Sequence, residues 1–147
     1  MLIEMKITGL TIDPITSTPI VILKDIEEKK AIPIWIGLFE ASAIATQLEK
    51  ISFSRPMTHD LFISVLECLC ASITKVLIDD LDGGIYYARL TLKSESKQSE
   101  IDARPSDCLA LALRSHAPIE VQEKVVRESS ISKSDVEKLI SIENYLQ

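Results

Sequence analysis

The stretch Ile101–Ile119 (IDARPSDCLALALRSHAPI) constrains the fold most, because a short strand turns abruptly into a helix there. Pro105 suits the first helical position, where the N–H group that proline lacks would have no helical partner. Asp107 falls in the first turn, where the helix dipole favours a carboxylate. The segment CLALAL that follows is apolar on every face, which predicts a buried helix. We therefore expect Asp102 and Arg104 to lie at a corner in front of a central helix.

Outside this corner, strand-like alternation and helix-like spacing of apolar residues divide the chain into short elements. Asp82-Gly83 predicts a hairpin, since Asp-Gly tolerates positive φ. Pro33 favours an edge strand or the start of a strand, and the slipped alternation near Gly9 indicates a bulge or a bend. The pattern predicts one α+β domain in which helices cover a mixed or antiparallel sheet. The predicted strands are Met1–Asp13, Ile20–Lys24, Ile32–Ile36, Ile73–Asp80, Ile85–Lys93 and Glu100–Ala103; the predicted helices are Leu38–Lys50, His59–Ala71, the helix that begins at Pro105, and Ser134–Gln147; Val121–Ser132 is ambiguous.

Length and charge limit the possible functions. A chain of 147 residues suits one domain, which we assign to residues 1–130, followed by a C-terminal helix at 131–147. The formal net charge of −6 argues against a broad basic surface for duplex nucleic acid. It leaves open a local basic groove or a carboxylate site for a divalent metal. Aromatic residues make up 5% of the chain, so a stacking platform for single strands is not expected.

Several features predict a cytoplasmic protein without a membrane partner. No apolar run approaches the roughly 18 residues that a membrane span needs. The first residues, MLIEMKITGL, lack the pattern of a secretory signal peptide. The cysteines are odd in number and fall in predicted helices, which is typical of buried free thiols in a reducing compartment. They are Cys68, Cys70 and Cys108.

A second corner, Arg55–Asp60 (RPMTHD), precedes another apolar helix. Thr58 is the expected N-cap. His59 can act as a general base near neutral pH, and Asp60 can orient it or hold a metal. The apolar stripe of this helix is predicted to be buried; its members are Phe62, Val65, Leu66 and Leu69.

Each polar residue of these corners also has a structural interpretation. Asp102, Arg104 and Asp107 form either a small polar site or an ion pair with a helix cap. Glu40 lies in the first turn of a predicted helix, where it complements the dipole or supplies a third carboxylate. His116 stands at a helix end beside a proline, which favours a capping role over chemistry.

Three motifs together resemble the bifunctional nuclease family: Ile32–Gly37 (IPIWIG) followed by Glu40-Ala41, then Arg55–Asp60, then Ile101–Asp107 (IDARPSD). The resemblance covers roughly residues 1–128, with the motifs in the family's order. It implies an α+β domain that associates with copies of itself and, as plant members are described, degrades both DNA and RNA. The implied polar set is Glu40, Arg55, His59, Asp60, Asp102, Arg104 and Asp107.

Two functions follow as hypotheses. The first is a nuclease acting on DNA or RNA, assisted by Mg²⁺ or Mn²⁺. In it His59, Asp60, Asp102 and Asp107 are catalytic, Arg55 and Arg104 bind the phosphate, and Glu40 and Asp102 hold the metal. The second is a non-catalytic oligomeric module with a binding or regulatory role.

Overall fold

A computed structural model describes residues 1–132 and 134–138 of the chain. The strands are β1 (Leu2–Ile12), β2 (Pro19–Asp25), β3 (Ala31–Trp35), β4 (Ser72–Asp82), β5 (Ile85–Lys93), β6 (Gln98–Ala103) and β7 (Ile119–Gln122). They form a seven-stranded sheet in the order β3-β2-β1-β7-β4-β5-β6. Neighbouring strands are antiparallel except β4 and β7, which are parallel. The fold is therefore α+β with a mixed sheet, as predicted.

Local chemistry explains several strand features. The register of β1 against β2 shifts between Ile7 and Gly9, where the sequence predicts a bulge. Pro33 lies in β3 at the edge of the sheet, where a missing N–H breaks no ladder. Gly83 and Gly84 both have positive φ in the turn between β4 and β5. These positions confirm the bulge, the edge strand and the hairpin.

The helices are α1 (Leu38–Leu48), α2 (Thr58–Cys68), α3 (Pro105–Ser115) and α4 (Glu123–Ser129), and residues 134–138 are also helical. α3 packs against α1, α2, β4 and β5. Its middle, Cys108–Ala112, is buried, as the apolar segment predicts. The predicted C-terminal helix lies partly outside the described residues. Among the described residues, no helix is long and apolar enough to span a membrane.

The two halves of the sheet curl toward each other. The hydroxyl of Tyr86 in β5 donates a hydrogen bond to the carbonyl of Pro33 in β3 at 3.0 Å. These strands stand five positions apart in the sheet, so only strong curvature brings them together. The hydrophobic core fills the concave side, where residues of β2 and β3 join residues of β4, β5 and α3.

Three sequence predictions are wrong. The apolar stripe of α2 is not buried: Leu66 is, but Phe62, Val65 and Leu69 are exposed. Cys68 and Cys70 are exposed free thiols, whereas Cys108 is buried as predicted. Thr58 is the first residue of α2 rather than its N-cap, which is Met57. The ambiguous segment Val121–Ser132 contains the end of β7 and the whole of α4, because Val121 completes the sheet while Val125 and Val126 enter the core.

Candidate active site at the helix N-termini

Two helix starts meet at the candidate site. Gly37 precedes α1 and Arg104 precedes α3, both with extended backbone and without a side-chain cap. Glu40 and Asp107 lie in the first turns of these helices, where the dipole favours a negative charge. The two carboxylates face one guanidinium because α1 packs directly on α3.

Arg104 joins the two carboxylates. Its Nε donates to Asp107 Oδ2 at 2.8 Å and its Nη2 to Asp107 Oδ1 at 3.1 Å, a bidentate pair. Its Nη1 donates to Glu40 Oε1 at 2.8 Å. The side chain of Arg104 is 63% exposed, so the free face of the guanidinium is open to solvent.

His59 extends this chain of contacts. Its Nε2 lies 3.2 Å from Asp107 Oδ1, and its side chain is 18% exposed. A carboxylate only accepts hydrogen bonds, so Nε2 of His59 is the donor. In the neutral imidazole, Nδ1 is then the atom that accepts a proton. The four side chains form one connected polar cluster, Glu40–Arg104–Asp107–His59.

The cluster keeps its carboxylates ionised. Burial works to raise the pKa of Asp107, but the hydrogen bonds from Arg104 and His59 outweigh it and lower that pKa. The pKa of Glu40 is lowered by its own backbone N–H and by Arg104. Asp107 and then Glu40 raise the pKa of Arg104 in turn. The cluster is therefore held by charge-assisted hydrogen bonds at neutral pH.

Asp60 faces away from the cluster. Its Oδ2 accepts from the N–H of Met57 at 3.0 Å, which caps α2, and its Oδ1 accepts from Arg114 Nε at 2.8 Å. These bonds lower the pKa of Asp60, with the backbone bond the larger cause. The Arg114 side chain is 7% exposed and also donates to the carbonyls of Ala110 and Ala43. Asp60 thus ties the start of α2 to α3 and α1.

Sequence reasoning missed Arg114. Its signal was present, since a charged residue at the end of an otherwise apolar buried helix needs a partner. His116 follows in the left-handed conformation, with φ of 58°, at the C-terminal end of α3. Its conformation terminates the helix, and it lies away from the N-terminal cluster, which agrees with a capping role.

Asp102 and Arg55 lie on opposite sides of the cluster. Asp102 is exposed in β6, and its carboxylate accepts no hydrogen bond and forms no ion pair with another described residue. With Glu40 and Arg104 it lines a cavity of about 490 Å³. Arg55 lines a separate cavity of about 430 Å³ with Asp60 and Arg114.

His59 and Asp107 open into a third cavity, of about 400 Å³. Glu40 and Arg104 line both this cavity and the one that holds Asp102, so these two residues form the wall between them. The structure therefore brings Glu40, His59, Arg104 and Asp107 together. Asp102 lines the cavity on the other side of Glu40 and Arg104, and Asp60 and Arg55 line the cavity of about 430 Å³.

The donor set does not fit a preformed metal site. In the part of the chain that the structure describes, no three His, Cys, Asp or Glu side chains converge as ligands. Glu40 has Oε1 on Arg104 and Oε2 against the backbone of Gly37, where an added Cβ would collide with it. Of the two predicted metal ligands, Glu40 and Asp102, only Asp102 has a carboxylate that no other described residue engages. The guanidinium of Arg104 occupies the position between carboxylates that a cation would need.

Fold and cluster together define an α+β domain that gathers polar residues at its helix starts. The chain belongs to the bifunctional nuclease domain family, whose model matches residues 21–134 and confirms the family resemblance. It is also 35% identical over 128 residues to two proteins of Mycobacterium tuberculosis: uncharacterized protein MT1877 of strain CDC 1551 / Oshkosh and uncharacterized protein Rv1829 of strain ATCC 25618 / H37Rv. The match spans 87% of this chain and 76% of each relative.

Proposed function

We propose that this protein is a nuclease that hydrolyses phosphodiester bonds in DNA or RNA. The observation that supports the proposal most is the connected cluster Glu40–Arg104–Asp107–His59, which places an imidazole, a carboxylate and an exposed guanidinium beside one cavity. Membership of the bifunctional nuclease domain family agrees with it.

The cluster supplies the groups that hydrolysis requires. His59 Nδ1 takes a proton from water as the water oxygen bonds to phosphorus. The bond from phosphorus to the leaving sugar oxygen breaks, and that oxygen takes a proton from bulk water. The imidazolium of His59 then returns its proton to the solvent. Asp107 holds the imidazole through Nε2 and stabilises its charged form.

Arg104 is suited to the phosphate. A guanidinium carries five N–H donors, of which the bonds to Asp107 and Glu40 use one on each nitrogen. Among the described residues, the second N–H of Nη1 and of Nη2 has no partner. These two N–H groups can donate hydrogen bonds to the negative charge that develops on the phosphate. Donors that are already in position before the reaction stabilise such a charge most. Arg55, exposed beside Met57, is proposed to bind a neighbouring phosphate.

Asp60 and Asp102 have different parts in this proposal. Asp60 acts as a positioning residue, because its bonds to Met57 and Arg114 set the start of α2 just ahead of His59. Asp102 faces the other cavity. The predicted assistance by Mg²⁺ or Mn²⁺ stays a prediction, and no step of the reaction is derived through it.

A matched pair of histidine variants tests the proposal. Wild type, His59→Asn and His116→Asn are incubated with end-labelled single-stranded DNA and RNA, in EDTA and with added Mg²⁺ or Mn²⁺. Asparagine keeps a hydrogen-bond donor at position 59, and at position 116 it tolerates the left-handed backbone. We expect His59→Asn to lose about 100-fold or more of the cleavage rate and His116→Asn to keep it. Equal cleavage by both variants contradicts the role of His59 and points to a contaminant.

We propose also that the chain forms a homo-oligomer. If the protein does not cleave nucleic acid, an oligomer would support the alternative function, a non-catalytic binding or regulatory module. The exposed face of α2 carries Leu61, Phe62, Val65 and Leu69, and Phe53 and Met57 lie exposed just before the helix. An apolar face of this kind marks an interaction site.

In the proposed oligomer, a second copy of the chain covers this apolar face. Light scattering coupled to size exclusion measures the mass of wild type and of Val65→Lys. We expect the variant to run as a folded monomer and Ile85→Lys, an exposed apolar residue on another surface, to run as wild type. A monomeric wild type contradicts the oligomer. The predicted cytoplasmic location stays a prediction.

A further inference from the structure

The cavity behind Arg104 is lined by three of the six aromatic side chains in the described part of the chain. Trp35, Tyr86 and Tyr87 line it together with Asp102 and Arg104. They include the only tryptophan and two of the three tyrosines in the sequence. The curl of the sheet brings them together, because Trp35 ends β3 while the tyrosines belong to β5. The volume of about 490 Å³ falls in the range of small-ligand sites.

Trp35 and Tyr87 are exposed, and hydrogen bonds hold Trp35 and Tyr86 in place. Trp35 is 50% exposed, although its Nε1 donates to Asp13 Oδ2 at 3.0 Å. Tyr87 is 44% exposed, and its neighbour Tyr86 is anchored through its hydroxyl to Pro33. The low aromatic content predicted no stacking platform, but the fold gathers Trp35 and Tyr87 at one cavity, where their exposed rings are suited to stack against a flat ligand.

Asp102 adds a selective polar group to the same cavity. It is an exposed carboxylate that no other described residue engages, at the strand end next to Arg104. Carboxylates accept hydrogen bonds from the amino groups of bases, as from the N4 amino group of cytosine. A thymine or uracil offers a carbonyl oxygen at that position, which a carboxylate repels.

We propose that this cavity binds an unpaired base that carries an exocyclic amino group, stacked on Trp35 or Tyr87 with its amino group on Asp102. The inference rests on the proposed nuclease function, and it specifies the substrate as single-stranded nucleic acid. A base inside a duplex has neither its face nor its pairing edge free, so it cannot enter such a site. Arg104, in the wall between the two cavities, would then hold the phosphate between this base and His59.

Binding without cleavage tests the proposal, with the single tryptophan as the reporter. Oligonucleotides of about eight nucleotides, poly-dC and poly-dT, are titrated in EDTA into wild type and into His59→Asn, following Trp35 fluorescence and the anisotropy of a labelled strand. We expect poly-dC to quench Trp35 and to bind about tenfold more tightly than poly-dT. A blunt duplex of mixed sequence is expected to bind weakly and to leave the fluorescence unchanged.

Two exposed-site variants separate the contributions. Tyr87→Ala is expected to weaken both single strands by about tenfold. Asp102→Asn is expected to bring the preference for poly-dC over poly-dT to about twofold or less, because an amide both donates and accepts. Equal binding of duplex and single strands, or a poly-dC preference that survives Asp102→Asn, overturns the base site. Base-selective binding by a protein that never cleaves sustains this site and overturns the nuclease instead.

Discussion

His59 Nε2 lies 3.2 Å from Asp107 Oδ1, although 48 residues separate the two in the chain. The contact joins the start of α2 to the start of α3, and through Arg104 it continues to the start of α1. Three helix N-termini thereby place their polar side chains in one cluster. The Arg-Pro corner before α2 contributes His59 to this cluster, and the Arg-Pro corner before α3 contributes Arg104 and Asp107.

Acid is expected to destabilise the protein through these carboxylates. The pKa values of Glu40, Asp60 and Asp107 are lowered in the folded chain, from ordinary values of 4.5, 3.8 and 3.8. A lowered folded pKa means that the stabilisation is complete above the unfolded value and is lost as pH falls through the folded one. We expect the free energy of unfolding in urea to be level from about pH 7 to about pH 5 and to fall below about pH 4.5.

Two variants, Asp107→Asn and Asp102→Asn, test which carboxylate causes this loss of stability at low pH. Asp107→Asn removes one of the three carboxylates, so its unfolding free energy should fall less steeply at low pH than that of wild type. Asp102→Asn changes a carboxylate that no described residue engages and should leave the slope unchanged. A steeper decline in Asp107→Asn would be incompatible with a lowered pKa at Asp107.

Asp60→Ala is expected to destabilise the fold. The change leaves the buried guanidinium of Arg114 without its carboxylate and removes the cap on the Met57 N–H. Losses of this kind cost about 2 kcal/mol. Urea denaturation measures the difference, with Asp102→Ala as a control that should stay within about 0.5 kcal/mol of wild type. If Asp60→Ala is as stable as wild type, the contact between Asp60 and Arg114 does not stabilise the packing of α2 on α3.

Gly37→Ala tests the placement of Glu40. A Cβ at position 37 collides with Glu40 Oε2, so the carboxylate must swing away from the α1 N-terminus and from Arg104. The backbone of Gly37 is extended and accepts alanine without strain. We expect a loss of about 1 kcal/mol in wild type and almost none in a Glu40→Ala background. Additive effects in this double-mutant cycle would argue against the contact.

The cysteines should react in two classes. Cys68 and Cys70 are exposed, while Cys108 is buried in α3 and its thiol pKa is raised to about 12 by burial. Because the thiolate is the reactive form, native protein should titrate two thiols rapidly with an aromatic disulfide reagent. The third should react only after denaturation. Rapid labelling of all three, or of Cys108 alone in a Cys68→Ser, Cys70→Ser variant, would contradict the burial of α3.

Local backbone chemistry made much of the fold predictable from the sequence. Strand β5 begins and ends where the alternation predicts, and Pro105 begins α3. The bulge at Gly9 and the edge position of Pro33 follow from what each residue permits in its own backbone. The family could be recognised for the same reason, since its motifs are short runs around such turns.

Contacts between distant segments were decided by the tertiary structure alone. The helical period identifies an apolar stripe on α2, but it cannot say whether a neighbour covers that stripe, and within the described chain most of it stays exposed. The residue types predicted a site containing Asp60 and Asp102, but Asp60 bonds to Arg114 and Asp102 faces another cavity. A side chain's partner depends on how helices and a curled sheet pack over tens of residues, and the spacing of residues along a chain does not encode that packing.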